Sequence, residues 1–228
     1  MALFRQLFDD DTSTLTYLIA DEVTRDALLI DPVDAQVERD MQVLKDLDLN
    51  LRYIVETHVH ADHITGGGLL RKLTGAKFVA GKGTALDCAD ILLEDGESLE
   101  FGNERLIAIA TPGHTDGCTS YRWRDRLFTG DTLLIDACGR TDFQQGNSEK
   151  LYDSIHKLLR LGDDMLVFPA HDYNGRRVST IGQEKAINPY VAGLSREEFV
   201  AKMAALNLPK PRYIDKAVPA NQRCGEPD

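Results

Sequence analysis

The chain has 228 residues, 43% of them hydrophobic and 28% charged, with a net charge of −11 at pH 7. That length suits one large α/β unit burying about 70–75% of its unfolded surface. The acidic balance argues against a polyanion partner such as nucleic acid, which requires a basic footprint.

From the N-terminus, MALFRQLFDDDTSTL has no apolar core behind a basic start and does not read as a secretory signal. No apolar run is long enough for a membrane span. Residues 13–20 (STLTYLIA) and 27–31 (ALLID) read as buried strands. Residues 36–47 carry Val37, Met41, Val43, Leu44 and Leu47 near a 3.6-residue period and predict an amphipathic helix. Strand 52–57, helix 64–74 and strand 77–80 follow. Strand-like runs recur around 98–110 and 118–130, then a helix over 149–161 and a last apolar strand at 165–168. Ser195-Arg196-Glu197-Glu198 has the form of a capping box and opens a helix to about Leu206. No repeat, linker or low-complexity tract divides the chain, so a single domain over 1–228 is expected. Cys88, Cys118, Cys138 and Cys224 show no CxxC spacing. In a chain of this length without a signal peptide they predict reduced thiols, in a bacterial-type cytoplasm or, for a processed form, the mitochondrial matrix.

Five of the six histidines fall in three short motifs, and a carboxylate motif joins them. The first is Thr57-His58-Val59-His60-Ala61-Asp62-His63. If the preceding strand runs on past Thr57, His58 and His60 project from one face. The others are Pro112-Gly113-His114-Thr115, Thr129-Gly130-Asp131-Thr132 and Pro169-Ala170-His171-Asp172, each after a predicted strand. Ordinary packing has no use for so many imidazoles and carboxylates, because each is costly to bury without a partner. Recurrent N and O donors at short range are what a metal site requires. His156 belongs to none of these motifs and reads as an ordinary helix residue.

In this order the four motifs resemble the metallo-β-lactamase superfamily, which implies an αββα sandwich with the metal at one edge of the two sheets. Within it, Ala137-Cys138-Gly139-Arg140-Thr141-Asp142-Phe143-Gln144-Gln145-Gly146 is similar to the persulfide (sulfur) dioxygenases. So is the tail: Leu206-Asn207-Leu208-Pro209-Lys210-Pro211, then Val218-Pro219-Ala220-Asn221 and Arg223-Cys224-Gly225. The resemblance spans nearly the whole chain, with about 176–228 as a short C-terminal extension.

The resemblance implies one Fe(II) per chain held by His58, His114 and Asp131. His60, Asp62, His63 and His171 would then be outer groups orienting ligands and water. Two histidines and a carboxylate with open positions are typical of Fe(II) oxygenases. Spacing alone leaves a dinuclear site open, since those four residues could complete one. The implied reaction takes glutathione persulfide and O2 to sulfite and glutathione. Glutathione carries carboxylates, so Arg140 is the first expected anion clamp, with Tyr173, Arg176 and Arg177 next. Cys224 either lines the site or is a buried structural thiol. The resemblance also allows a homodimer and a rhodanese-type sulfur-transfer partner.

Three other readings compete. A glyoxalase II-type dinuclear hydrolase of glutathione thioesters would use the same metal motifs, but that family has a longer helical C-terminal domain. A nuclease is disfavoured by the acidic charge. A non-catalytic metal module is disfavoured because every motif position is intact.

Overall fold

A strand over Thr14–Asp21 is buried along its whole length: Tyr17 and Ile19 face one way, Leu18 and Ala20 the other. Apolar side chains on both faces need cover on both, and the computed structural model, which describes residues 2–226, supplies it with four layers.

The first sheet holds β1 (Ala2–Asp9), β2 (Thr14–Asp21), β3 (Asp26–Ile30), β4 (Asn50–Val55), β5 (Lys77–Gly81) and β6 (Ile91–Leu93), in that spatial order. The first three are antiparallel, and β3 to β6 run parallel. Helices α1 (Val37–Asp46) and α2 (Gly67–Thr74) make two of the crossovers and cover the outer face, where Leu44, Leu70 and Phe78 pack. The second sheet holds β7 (Ser98–Phe101), β8 (Glu104–Ala110), β9 (Thr119–Trp123), β10 (Arg126–Gly130), β11 (Leu166–Pro169) and β12 (Ser179–Thr180), in reverse spatial order. Helix α3 (Ser148–Leu159) crosses from β10 to β11, which pair in parallel. With α4 (Ile181–Ile187) and α5 (Arg196–Ala204), it buries Leu151, Ile155, Ile181, Phe199 and Met203 against the outer face. Between the sheets lies the aromatic core of Tyr17, Tyr121, Trp123, Phe128 and Phe168. This is the expected αββα sandwich. The last helix, α6 (Ile214–Asn221), closes the chain.

The predicted elements recur, with local differences. Strand β1 was not foreseen: ALFRQLFD mixes polar and apolar side chains because it is an edge strand, half-buried for most of its length. Helices α4 and α6 are short, and α6 contains Pro219, so neither has a clear apolar period. The strand before the histidine motif stops at Val55 rather than running past Thr57. The Asp31 carboxylate captures both the Thr57 amide (2.7 Å) and its hydroxyl (2.8 Å), drawing the chain out of the sheet. His58 and His60 therefore share a loop, not a strand face.

The expectation of four reduced thiols is also corrected. Cys88 and Cys224 form a disulfide across a separation of 136 residues, so the fully buried Cys224 is a structural half-cystine that neither lines the site nor is a free thiol. Their Cα atoms lie 6.0 Å apart, within bridging range. Spacing in the sequence could not reveal this pair, because only the fold brings α6 beside the β5–β6 connection. Cys118 and Cys138 are free.

Candidate metal centre

The four motifs sit on loops that leave the ends of β4, β8, β10 and β11 and converge at one edge of the sandwich. Two glycines make the convergence possible. Gly113 has φ +145°, and a Cβ there would meet the Leu151 backbone at 2.3 Å, so the loop bearing His114 can lie flat on the start of α3. A Cβ at Gly139 would come within 2.9 Å of the His114 ring and 2.3 Å of the Asp131 carbonyl, whose oxygen accepts from the Gly139 amide at 2.7 Å.

Donor atoms of His58, His114 and Asp131 lie within 4.8 Å of one another. Each residue is held by its other polar atom. The Thr57 hydroxyl donates its proton to Asp31, so it can only accept from His58 Nδ1, 2.9 Å away, leaving Nε2 as the lone-pair nitrogen of His58. His114 Nδ1 donates to the Arg140 carbonyl at 2.6 Å, and its Nε2 lies 3.7 Å from Asp131 Oδ2. Asp131 Oδ1 accepts from His171 Nδ1 at 2.6 Å. Second hydrogen bonds of this kind fix tautomer and ring orientation in metal sites. Two imidazole nitrogens and one carboxylate oxygen thus face each other, which fits a single divalent cation.

A second cluster, His60, Asp62, His63 and His171, adjoins the first. His171 is gripped on both sides, by Asp131 and, through Nε2, by Asp62 at 3.0 Å; Asp62 also accepts from His63 Nδ1 at 2.9 Å. Burial opposes charge on both His171 and Asp131, but their contact outweighs it. His171 is held well above the usual histidine range and Asp131 well below the usual carboxylate range. Burial, reinforced by the neighbouring His60, pushes His58 well below its ordinary value. Behind the loop, His60 Nε2 stands 3.2 Å from Asp31 and 3.5 Å from Glu56. Burial and then Asp31 push the Glu56 carboxyl up to about 8. For His60 the three nearby carboxylates, Asp31 foremost, outweigh burial and raise it to about 9.

The centre opens into a cleft of about 570 Å3, walled by Leu134, Cys138 and Gly139 on one side and by the tail segment 208–213 on another. A larger groove, about 800 Å3, lies between α1 and α2, but its walls carry no histidine or cysteine and it lies apart from these motifs. We assign the site to the smaller cleft.

The expected anion clamps are only partly brought here. Arg140 lines the cleft, yet its guanidinium is committed. It grips both Asp142 oxygens at 2.6 Å and donates to the Pro209 and Leu208 carbonyls at 2.7 and 3.2 Å, latching the tail. Tyr173 lines the cleft, its ring stacked on His171. Arg176 and Arg177 point elsewhere: Arg176 pairs with Asp136, and Arg177 lies over the Phe8 ring. Arg212 on the tail, which the sequence reading missed, also faces the cleft, and among the described residues no carboxylate pairs with it. Its signal was only its place in the tail LNLPKPRY. His156 is an ordinary helix residue, its Nδ1 bonded to the Tyr152 carbonyl at 2.9 Å. No helix among the described residues is long and apolar enough to cross a membrane.

Comparison with known proteins agrees with the fold. The family model described as "Metallo-beta-lactamase superfamily" matches residues 9–171. The human protein named persulfide dioxygenase ETHE1, mitochondrial, is 52% identical over 98% of this chain and 89% of its own length. The crystal structure of ETHE1 from Myxococcus xanthus superposes with a TM-score of 0.96 at 53% identity, covering 98% of this chain and all of that one. A Dictyostelium discoideum protein named glyoxylase B2 is 26% identical over 95% of this chain and 88% of its own.

Proposed function

The chain belongs to the metallo-β-lactamase superfamily, and from that membership we propose that it is a persulfide dioxygenase holding one Fe(II) on His58, His114 and Asp131. The observation that carries this reading is the donor set itself. Two histidines with their Nδ1 protons engaged and one carboxylate with one oxygen engaged leave three ligand atoms on a common side. A single metal is favoured over two because His171 is tied at both nitrogens, to Asp131 and Asp62. That arrangement speaks against a glyoxalase II-type hydrolase, which uses two metals.

The overall reaction is glutathione persulfide plus O2 and water giving glutathione, sulfite and two protons. When bound, Fe(II) would supply the electron-transfer chemistry that joins O2 to the terminal sulfur. The protein's residues do the rest. His171 orients Asp131 and keeps it ionised. The Arg140 carbonyl and Thr57 hydroxyl hold the two imidazoles in the ligating tautomer. Leu134, Cys138 and Leu208 give the cleft an apolar wall that limits water, and Arg212 offers a guanidinium to a substrate carboxylate. Arg140 acts on the substrate through the tail it latches.

The test is anaerobic loading of the apo-protein with Fe(II), or Zn(II) as control, followed by oxygen uptake on adding glutathione persulfide. We expect uptake with iron alone, with sulfite appearing. A folded, iron-loaded protein that consumes no oxygen, or a Zn(II) form that turns over S-lactoylglutathione, would overturn the reading.

A further inference from the structure

The Val218-Pro219-Ala220-Asn221 stretch plays no part in the chemistry just described, yet its last residue is 3% exposed and fully bonded. Asn221 Nδ2 donates to the carbonyls of His60 (2.9 Å) and His63 (2.8 Å), and Oδ1 accepts from the Thr65 amide (2.8 Å). Both donors and the acceptor of one side-chain amide are therefore used on a single loop. That loop, 58–65, lies between β4 and α2 with no ladder of its own, so its buried main-chain groups need partners from elsewhere. It carries His58, His60, Asp62 and His63. Three residues beyond Asn221, Cys224 is bonded to Cys88, and Gly225 packs so closely on Thr65 that a Cβ there would lie 2.4 Å from its carbonyl oxygen.

We propose that Asn221 is a positioning residue for the metal centre: from the far end of the chain it fixes the shape of loop 58–65, and with it the aim of His58, through main-chain hydrogen bonds alone. The inference rests on reading His58, His114 and Asp131 as metal ligands, but not on the identity of the reaction. Aspartate at this position has the same shape and keeps the acceptor for Thr65, but it loses both donors and sets a negative charge against two carbonyl oxygens. The disulfide keeps α6 docked in such a variant, which confines the effect to the loop.

The experiment titrates the full-length apo-protein with Co(II), followed by its d–d absorption, comparing the parent with Asn221→Asp and with Gln222→Ala, an exposed neighbour on the same turn. Loss of an outer group of a metal site weakens affinity about 10- to 100-fold, and that is expected for Asn221→Asp alone. In the iron form the same variant should lose kcat while KM for glutathione persulfide stays unchanged, because the substrate-facing tail is untouched. A second measurement needs no variant. Coupling is reciprocal, so Co(II) must slow hydrogen exchange of the α6 amides in the parent. Unchanged Co(II) affinity in a folded Asn221→Asp protein, or α6 exchange indifferent to the metal, overturns the proposal. A parent that binds no Co(II) overturns the metal-centre reading and this inference together. Co(II) behaviour as expected, with no oxygen uptake from the iron form, sinks only the dioxygenase reading.

Discussion

Thr57 carries orientation from Asp31 to His58: one hydroxyl proton, given to a buried carboxylate, decides which nitrogen of the next residue can ligate. Thr57 opens the first motif and Asp31 lies outside all four, and no spacing shows that one bonds to the other, so the sequence could name the ligand but not its tautomer. The same is true of the Arg140 carbonyl behind His114, a main-chain atom with no signature in any side chain. Away from the site, Asp40 on α1 is fully buried against Arg39, whose Nε lies 2.9 Å from Oδ1, while Oδ2 has no partner. Burial outweighs that contact and raises the Asp40 carboxyl from 3.8 to about 6. An acid raised by folding opposes the folded state once ionised. The penalty is therefore absent below about pH 4 and complete above about pH 6. A shift of this size is worth at most about 3 kcal/mol. Asp40→Asn should accordingly gain in Tm relative to the parent between pH 4 and pH 7. A Tm difference that stays flat across this range would show that Asp40 is not perturbed.

Among the elements, the tail segment 208–213 matters most for substrate. It reaches the cleft because Arg140 holds the Leu208 and Pro209 carbonyls, and it brings Arg212 over the opening. A charged hydrogen bond to a substrate carboxylate contributes about 1.5–3 kcal/mol, so Arg212→Ala should raise KM for glutathione persulfide about ten-fold or more with kcat little changed. Steady-state oxygen uptake checks this, and an unchanged KM would remove Arg212 from substrate binding. The long elements were legible: α1, α3 and α5 announce themselves by period or by the Ser195–Glu198 capping box, and β2, β3 and β5 by apolar runs. Strand β1 was not, because an edge strand need not alternate cleanly. Most of the tail's work was hidden for a different reason: apart from Arg212, it acts through main-chain carbonyls and one side-chain amide, which leave no spacing to read. The four metal motifs were visible because they concentrate residues that are costly to bury alone.

At the scale of the molecule, the sandwich brings loops from both sheets to one edge, and long-range ties fasten the chain across it. The Tyr121 hydroxyl on β9 donates to the Glu56 carbonyl at the end of β4, joining the sheets beside the site. The Cys88–Cys224 bond joins residues 136 apart in the sequence. By loop-closure entropy such a tie contributes at most about 5 kcal/mol. Cys88→Ser, at the half-buried partner, should lower the denaturation midpoint, and reductant should produce the same shift in the parent but none in the variant. Equal midpoints for parent and variant would mean the bond does not form in solution.

That closure also gives the molecule a topology that a linear chain lacks. Residues 88–224 make a covalent ring, and the first 87 residues hang from it as an open thread. His114, Asp131 and His171 ride on the ring, while His58, His60, Asp62 and His63 ride on the thread. One peptide cleavage within the ring, for instance in the exposed stretch 173–178, releases no fragment and leaves its share of the centre in one covalent piece. A cleavage between 64 and 87 instead divides the centre at the junction of two separable parts.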